Sequence, residues 1–309
     1  MKKLITALVA ITLTITSMPA QANLKNKTSV PTLAILDSAL DTSIPLIKSK
    51  LIQEVCILDW PSCPNGKNFM EGASSSYLSS LILSTSNFNH GTQMASIATA
   101  ANPNMNILFV RIIGNTSKGA RQTTGPNTLP NALSWVLSNK DKYNIVAVSV
   151  SQGSQSALRK NTQQYCPVSA TDNAINNLYS AGIPVFFPAG NDRDRARINW
   201  PACIPNSVAV GGVESYGDIS IFSNYDKNLI DIWTPIYSPS IYPGNIYGNS
   251  FGTSVSTQIA AAQYVALKTA KPNLTLDQLL LLIKSTGKPI SNSIKETGLM
   301  FNLGAALNG

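Results

Sequence analysis

Apolar positions in this chain cluster in two ways. Short, dense, β-branched runs occur at Thr32-Leu33-Ala34-Ile35-Leu36, 106–113, 144–150, 183–187, 207–213 and 229–233. Each has the length and composition of a strand covered on both faces. Between them lie longer amphipathic stretches at 91–101, 129–139, 169–181, 254–270 and 275–285, which read as helices. The Lys271-Pro272 step ends the 254–270 helix, because the residue before a proline is pushed out of the helical region. Thr275 with Gln278 three residues on reads as the capping box of the next helix. Buried strands separated by helices predict an α/β fold, a mostly parallel sheet with helices on both faces. Segments 114–129 and 236–250 are rich in Gly, Ser, Asn and Pro and are expected to be surface loops. Neither resembles a linker, and there is no internal repeat, so one folded domain is expected.

The start of the chain follows another pattern. Lys2 and Lys3 precede a largely apolar run from Leu4 to Ile15, and Ser17-Met18-Pro19-Ala20-Gln21-Ala22 places small residues at 20 and 22. That is the three-part form of a secretory signal peptide, with cleavage expected after Ala22. Residues 1–22 are therefore assigned to the signal and 23–309 to the mature domain. The run is too short to span a bilayer comfortably, and no later stretch is long and apolar enough. No stable membrane insertion is expected, and the product is expected to be secreted or periplasmic.

Composition changes this picture little. Of 309 residues 44% are hydrophobic and 12% charged, enough apolar material for a large core. The formal charge of +8 is scattered, and only Arg193, Arg195 and Arg197 cluster, around Asp194. Nucleic-acid binding calls for a continuous basic patch interleaved with aromatics, and none is present. Four cysteines in an exported chain predict two disulfides. Three pairings are possible. Cys56 and Cys63 are close and flank a Trp60-Pro61 turn, while Cys166 and Cys203 share the C-terminal half, which favours Cys56–Cys63 with Cys166–Cys203. A zinc site is the rival, but there is no C-x-x-C pair and a single histidine.

Three segments place a reactive side chain at the end of a predicted element. Asp37 follows the first strand, at the rim where open α/β sheets build their sites. His90, the only histidine, precedes the 91–101 helix in Asn89-His90-Gly91-Thr92-Gln93-Met94-Ala95, and an imidazole is the natural general base near neutral pH. Ser254 opens the Ala-rich 254–270 helix in Gly252-Thr253-Ser254-Val255-Ser256-Thr257, where a helix N-terminus favours developing negative charge. Each alone has a plainer explanation: a turn, an incidental ring, a helix cap.

Together, in Asp…His…Ser order, these segments resemble the three motifs of the subtilisin-like serine proteases. Leu33 to Pro45 resembles the aspartate motif, His90 to Ala95 the H-G-T-x-x-A motif, and Gly252 to Thr257 the G-T-S-x-[AS]-T motif. Phe186-Phe187-Pro188-Ala189-Gly190-Asn191-Asp192 is similar to the segment whose asparagine donates to the oxyanion. Val148 to Gly153 resembles the substrate-binding strand, and Trp200 to Val213 the strand after the oxyanion segment. The likeness runs from about residue 32 to the C-terminus. It implies a subtilisin-like three-layer fold and a serine endopeptidase working through an acyl-enzyme. Asp37, His90 and Ser254 would form its triad and Asn191 would donate to its oxyanion hole. Ser151, Gln152, Gly153, Pro188, Ala189, Gly190 and Asn199 would line the pocket for the residue before the cut. The implied partner is a protein or peptide substrate, the protein is expected to be a monomer, and no cofactor or metal is implied.

The departures from the pattern carry expectations too. Gln258 stands where the family usually has proline, which changes the first turns of the helix presenting Ser254. It leaves two alternatives open: a catalytically impaired scaffold that binds partners, and a transpeptidase or specific processing protease. Ala39 replaces a glycine, so the turn after Asp37 is expected to differ slightly. The segment after His90 is short and Leu46 replaces a calcium-binding aspartate of many relatives, so no calcium is expected there. The long Asp37-to-His90 interval is expected to be an insertion near the substrate cleft. Only fourteen residues separate Ala22 from Asp37, so folding without a propeptide is expected.

Overall fold

The computed structural model describes residues 29–115, 125–154 and 166–309. The expected signal peptide, most of the expected 114–129 loop and residues 155–165 lie outside these. In chain order the elements are β1 (Thr32–Asp37), α1 (Pro45–Lys48), β2 (Leu51–Ile57), β3 (Phe69–Glu71), α2 (Ser80–Leu83), α3 (His90–Ala101) and β4 (Asn106–Arg111). There follow α4 (Thr128–Asn139), β5 (Ile145–Val150), α5 (Ala170–Ser180), β6 (Val185–Pro188), β7 (Val208–Val213) and β8 (Ile232–Pro235). The chain ends with β9 (Tyr237–Tyr242), β10 (Ile246–Phe251), α6 (Thr253–Ala270), α7 (Leu276–Ser285), β11 (Lys288–Ser291), β12 (Thr297–Met300) and α8 (Leu303–Asn308).

A ten-stranded sheet in the order β11-β12-β8-β7-β6-β5-β1-β4-β2-β3 forms the middle layer. All neighbours from β12 to β2 pair in parallel, and only the edge strands β11 and β3 run antiparallel. This is the expected mostly parallel α/β sheet with helices on both faces. Thr275 and Gln278 form the expected capping box at the start of α7.

Alternation along each strand divides the core in two. On β1, Ala34 and Leu36 face one apolar cluster with α4 and α5, which supply Leu129, Leu133, Ile175 and Leu178. Leu33 and Ile35 face the other, with Ala95 and Ala98 of α3 and Ala260, Ala261 and Val265 of α6. On β5, Val148 and Val150 go to the first side and Ala147 to the second. With a period of two, the next odd positions, Asp37 on β1, Ser149 on β5 and Ser151 just past its end, belong to the α3/α6 side. The chain leaves β1 toward β2 and leaves β5 toward β6, in opposite directions from two neighbouring strands. That is the topological switch point at which open α/β sheets form a crevice.

Two expectations are corrected. Segment 236–250 is a β-hairpin, with Tyr242 opposite Ile246 and Tyr237 opposite Phe251. Its turn has φ of 79° at Gly244 and 61° at Asn245, conformations that Gly and Asn tolerate best. The Asp37-to-His90 interval is only partly insertion, since it supplies β2, paired with β4, and β3 at the sheet edge. Its remainder is tied down by the buried Glu54 carboxylate, which accepts from Ser74 N–H at 3.0 Å, Ser76 N–H at 3.3 Å and the Ser76 hydroxyl. Ala39 fits without strain, its methyl fully buried in the first core. The disulfides pair as expected, Cys56 with Cys63 and Cys166 with Cys203.

Candidate active site

Asp37 is the last residue of β1 and is fully buried. His90 is the first residue of α3, and its Nδ1 lies 2.9 Å from Asp37 Oδ1 and 3.0 Å from Oδ2. A buried carboxylate needs donors, and Oδ1 also accepts the Ser38 N–H at 2.6 Å and the Gln152 amide at 3.3 Å. The strand and helix approach closely for a local reason. The Ser38 hydroxyl donates to Phe88 O at 3.1 Å and accepts from Gly91 N–H at 3.0 Å, binding the end of β1 to the start of α3. A Cβ on Gly91 would lie 2.4 Å from Ala39 O and 2.8 Å from Phe109 Cζ, so only glycine lets His90 come this near. With Nδ1 committed to the carboxylate, Nε2 is the ring nitrogen that Asp37 does not engage, and the side chain is 24% exposed.

Ser254 is the second residue of α6, behind Gly252, whose φ of 131° few other residues adopt. Its hydroxyl donates to Ser151 O at 3.3 Å, and the Ser151 hydroxyl donates back to Ser254 O at 3.2 Å. Gln152, next along the chain, has its Nε2 3.5 Å from His90 Nδ1. The segment just beyond β5 therefore touches both the Asp37–His90 pair and Ser254, which brings Asp37, His90, Ser151, Gln152 and Ser254 together at the switch point.

Asn191 follows β6. Its Oδ1 accepts the Thr253 N–H at 2.8 Å and the Thr253 hydroxyl at 3.0 Å. The oxygen held by two donors fixes the orientation of the Asn191 amide. Gly190 N–H donates to the same Thr253 hydroxyl at 3.2 Å.

Of the expected pocket residues, Gly153, Ala189, Gly190 and Asn199 lie next to one another. Asn199 N–H donates to Ala189 O at 2.8 Å. A Cβ on Gly190 would lie 2.5 Å from Asn199 Nδ2, and one on Gly153 would lie 3.7 Å from Asn199 Cβ. Asn199 thus sits between Gly153 and the Ala189-Gly190 segment, its Oδ1 accepting from Asn224 at 3.2 Å. Ser154 exchanges backbone hydrogen bonds with Trp200 at 2.9 and 3.0 Å, closing the far side.

Several orienting residues were not singled out from the sequence: Ser38, Thr253, Asn224 and Ser149. Ser38 and Thr253 directly adjoin Asp37 and Ser254, and their small hydroxyls were the available signal. Asn224 and Ser149 carried none. Among the described residues no group of three or more His, Cys, Asp or Glu is placed to hold a metal ion, and no helix is long and apolar enough to cross a membrane.

The sequence model of the Subtilase family matches residues 28–305. Subtilisin-like protease 2 of Arthroderma otae is 44% identical over 64 residues, which is 21% of this chain and 15% of that protein. The cuticle-degrading serine protease of Arthrobotrys oligospora is 31% identical over 117 residues, 38% of this chain and 25% of the relative. The matched stretches thus span a quarter or less of these curated relatives. Among solved structures, a protease from Pseudoalteromonas arctica superposes with a TM-score of 0.72 at 22% identity, covering 91% of this chain and 90% of its own. A cold-adapted subtilisin-like serine proteinase gives 0.66 at 20% identity, covering 87% of each. At these identities the structural likeness establishes the fold.

Proposed function

We propose, from the premise that this chain belongs to the subtilase family, that it hydrolyses peptide bonds through a serine acyl-enzyme. The observation that carries this reading is the 2.9 and 3.0 Å approach of His90 Nδ1 to both oxygens of a fully buried Asp37. That contact places the ring proton on Nδ1 and leaves Nε2 as a base. For attack, the Ser254 hydroxyl rotates about χ1 from Ser151 O toward Nε2, a tightening that substrate binding commonly brings. His90 takes the proton, the hydroxyl oxygen bonds to the substrate carbonyl carbon, and the proton then passes to the leaving amine. Asp37 stabilises the imidazolium. The oxyanion is received by the Asn191 Nδ2–H and the Ser254 N–H at the start of α6.

The substrate is a protein or peptide lying extended along the segment beyond β5, where the backbone at 151–153 offers pairing groups in the manner of an added strand. The residue before the cut enters between Gly153, Ala189-Gly190 and Asn199, whose half-buried amide gives that pocket a polar wall. Both disulfides are formed and no described cysteine is free, which supports an exported protein in an oxidising compartment.

Treating the purified mature chain with a fluorophosphonate probe beside a Ser254→Ala control tests the reading. The wild type should label and the variant should not. A folded wild type that does not label would refute it and leave a subtilase scaffold that binds without cutting.

A further inference from the structure

Behind Ser254 lies a buried polar chain that the hydrolytic scheme does not use. Gln258 is on the next turn of α6 and is fully buried, as is Ser149 on β5. The Ser149 hydroxyl donates to Gln258 Oε1 at 2.9 Å, and Gln258 Nε2 donates to the Ser151 hydroxyl at 2.7 Å. That hydroxyl in turn donates to Ser254 O at 3.2 Å, and the Ser254 hydroxyl donates to Ser151 O at 3.3 Å. The bonds run in one direction, Ser149 to Gln258 to Ser151 to Ser254, and each donor has an acceptor. Such a series is mutually strengthening in a water-excluded interior, and each member orients the next.

Other tethers hold α6 from the opposite side. Thr234 on β8 donates to Ser256 O at 2.7 Å, and the Ser256 hydroxyl donates to Pro235 O at 3.0 Å. Those fix the helix against β8. Gln258 instead links it to β5 and its extension, which presents Ser151 to Ser254 and Gln152 to the Asp37–His90 pair.

We infer that Gln258 is a positioning residue that sets Ser254 relative to the Ser151–Gly153 segment by locking the Ser151 hydroxyl between the α6 amide and the Ser254 carbonyl. This rests on the hydrolase reading above. It also means that Gln258 does the opposite of impairing the site: it registers the nucleophile and the oxyanion-hole N–H of the same residue against the segment on which the substrate lies. Gln258 itself touches no substrate, so its loss should change the turnover of bound substrate more than its binding.

The test is Gln258→Met, which keeps the unbranched shape and removes both hydrogen bonds, with Ser149→Ala as a milder variant that cuts only the far anchor. Each is compared with wild type for kcat, KM and fluorophosphonate labelling rate, at equal folded concentration checked by thermal unfolding. We expect Gln258→Met to lower kcat and the labelling rate by about tenfold with KM within about twofold, inside the loss of up to about a hundredfold that small misplacements cause. Ser149→Ala should lower kcat in the same direction by about threefold, and this variant decides the matter if Gln258→Met does not fold. A merely structural role would lower the thermal midpoint and leave kcat per folded molecule within twofold of wild type, and that result overturns the inference. If wild type labels and the variants match it, this inference alone fails. If wild type does not label, the hydrolase reading fails and takes this inference with it.

Discussion

Asp37→Asn is the most informative single change. Asp37 Oδ1 receives the Ser38 N–H at 2.6 Å and the Gln152 amide at 3.3 Å, in addition to His90 at 2.9 Å. In the variant the side-chain oxygen must stay on the side of those two fixed donors, so the new NH2 group takes the other position, 3.0 Å from His90 Nδ1. An NH2 group only donates there, which favours the tautomer with the proton on Nε2 and removes the base that Ser254 needs. The negative charge is lost as well. At an effective dielectric of 20 and roughly 4 Å between charge centres, it stabilises the imidazolium by about 4 kcal/mol, close to a thousandfold in rate. Adding the tautomer effect brings the expected loss in kcat to about 10⁴-fold, the size reported for the same substitution in another serine–histidine–aspartate triad. KM should stay near the wild-type value because Asp37 is fully buried and reaches no substrate. The assay is steady-state hydrolysis of a peptide substrate, with thermal unfolding to confirm the fold. A folded Asp37→Asn enzyme retaining kcat within tenfold of wild type would refute the assignment of both Asp37 and His90.

Four further outcomes rest on individual contacts. Asn191→Asp keeps the acceptor for Thr253 and removes the donor proposed for the oxyanion, so kcat should fall on the order of 10²–10³-fold, with a thermal midpoint near wild type. Gly91→Ala forces a methyl to within 2.4 Å of Ala39 O and should destabilise the fold by about 1–3 kcal/mol, measured by denaturant unfolding. Replacing Cys166 and Cys203 together by alanine opens a link across 37 residues, and replacing Cys56 and Cys63 one across 7. Loop-closure entropy puts the costs at about 4 and about 2 kcal/mol, so the first pair should lower the midpoint more. Burial raises the Asp41 carboxyl, but hydrogen bonds from Gly244 N–H and from Ser43 outweigh it and hold it below its ordinary value. That contribution to stability is present above pH 3.8 and is lost as pH falls through the lowered value. Asp41→Asn should therefore flatten the acid side of a midpoint-versus-pH curve.

How much of this was legible in the sequence depended on distance along the chain. Strands buried on both faces, such as β1 and β5, announce themselves as uninterrupted apolar runs. β2 starts Leu51-Ile52-Gln53, part exposed near the sheet edge, and continues with the charged Glu54, and this mixture hid it inside an apparent insertion. β3, β11 and β12 are too short to show a period, and β9 and β10 pair with each other outside the main sheet, so their turn-forming residues read as loop. The triad candidates stood out because each sits in a local motif at an element end. Their supports did not, since the partners that hold Gln258 are 107 and 109 residues away and only folding brings them together. A departure from the usual proline at 258 was visible; that the amide would find two buried hydroxyls was not.

The two-residue alternation of β1 has a consequence for how this chain can change. Leu33 and Ile35 point the way Asp37 must point, so one residue added or deleted inside the strand would turn the carboxylate toward α4 and α5 and bring an aliphatic side chain to the imidazole. No compensating substitution nearby restores that handedness. Length variation is therefore expected to collect where no strand counts positions, as between β3 and α2, and to spare the six residues before Ser38. An indel scan compared with volume-conserving swaps at the same positions would map this rule directly, with β1 and β5 tolerating isosteric changes in their buried apolar side chains yet intolerant of a one-residue shift.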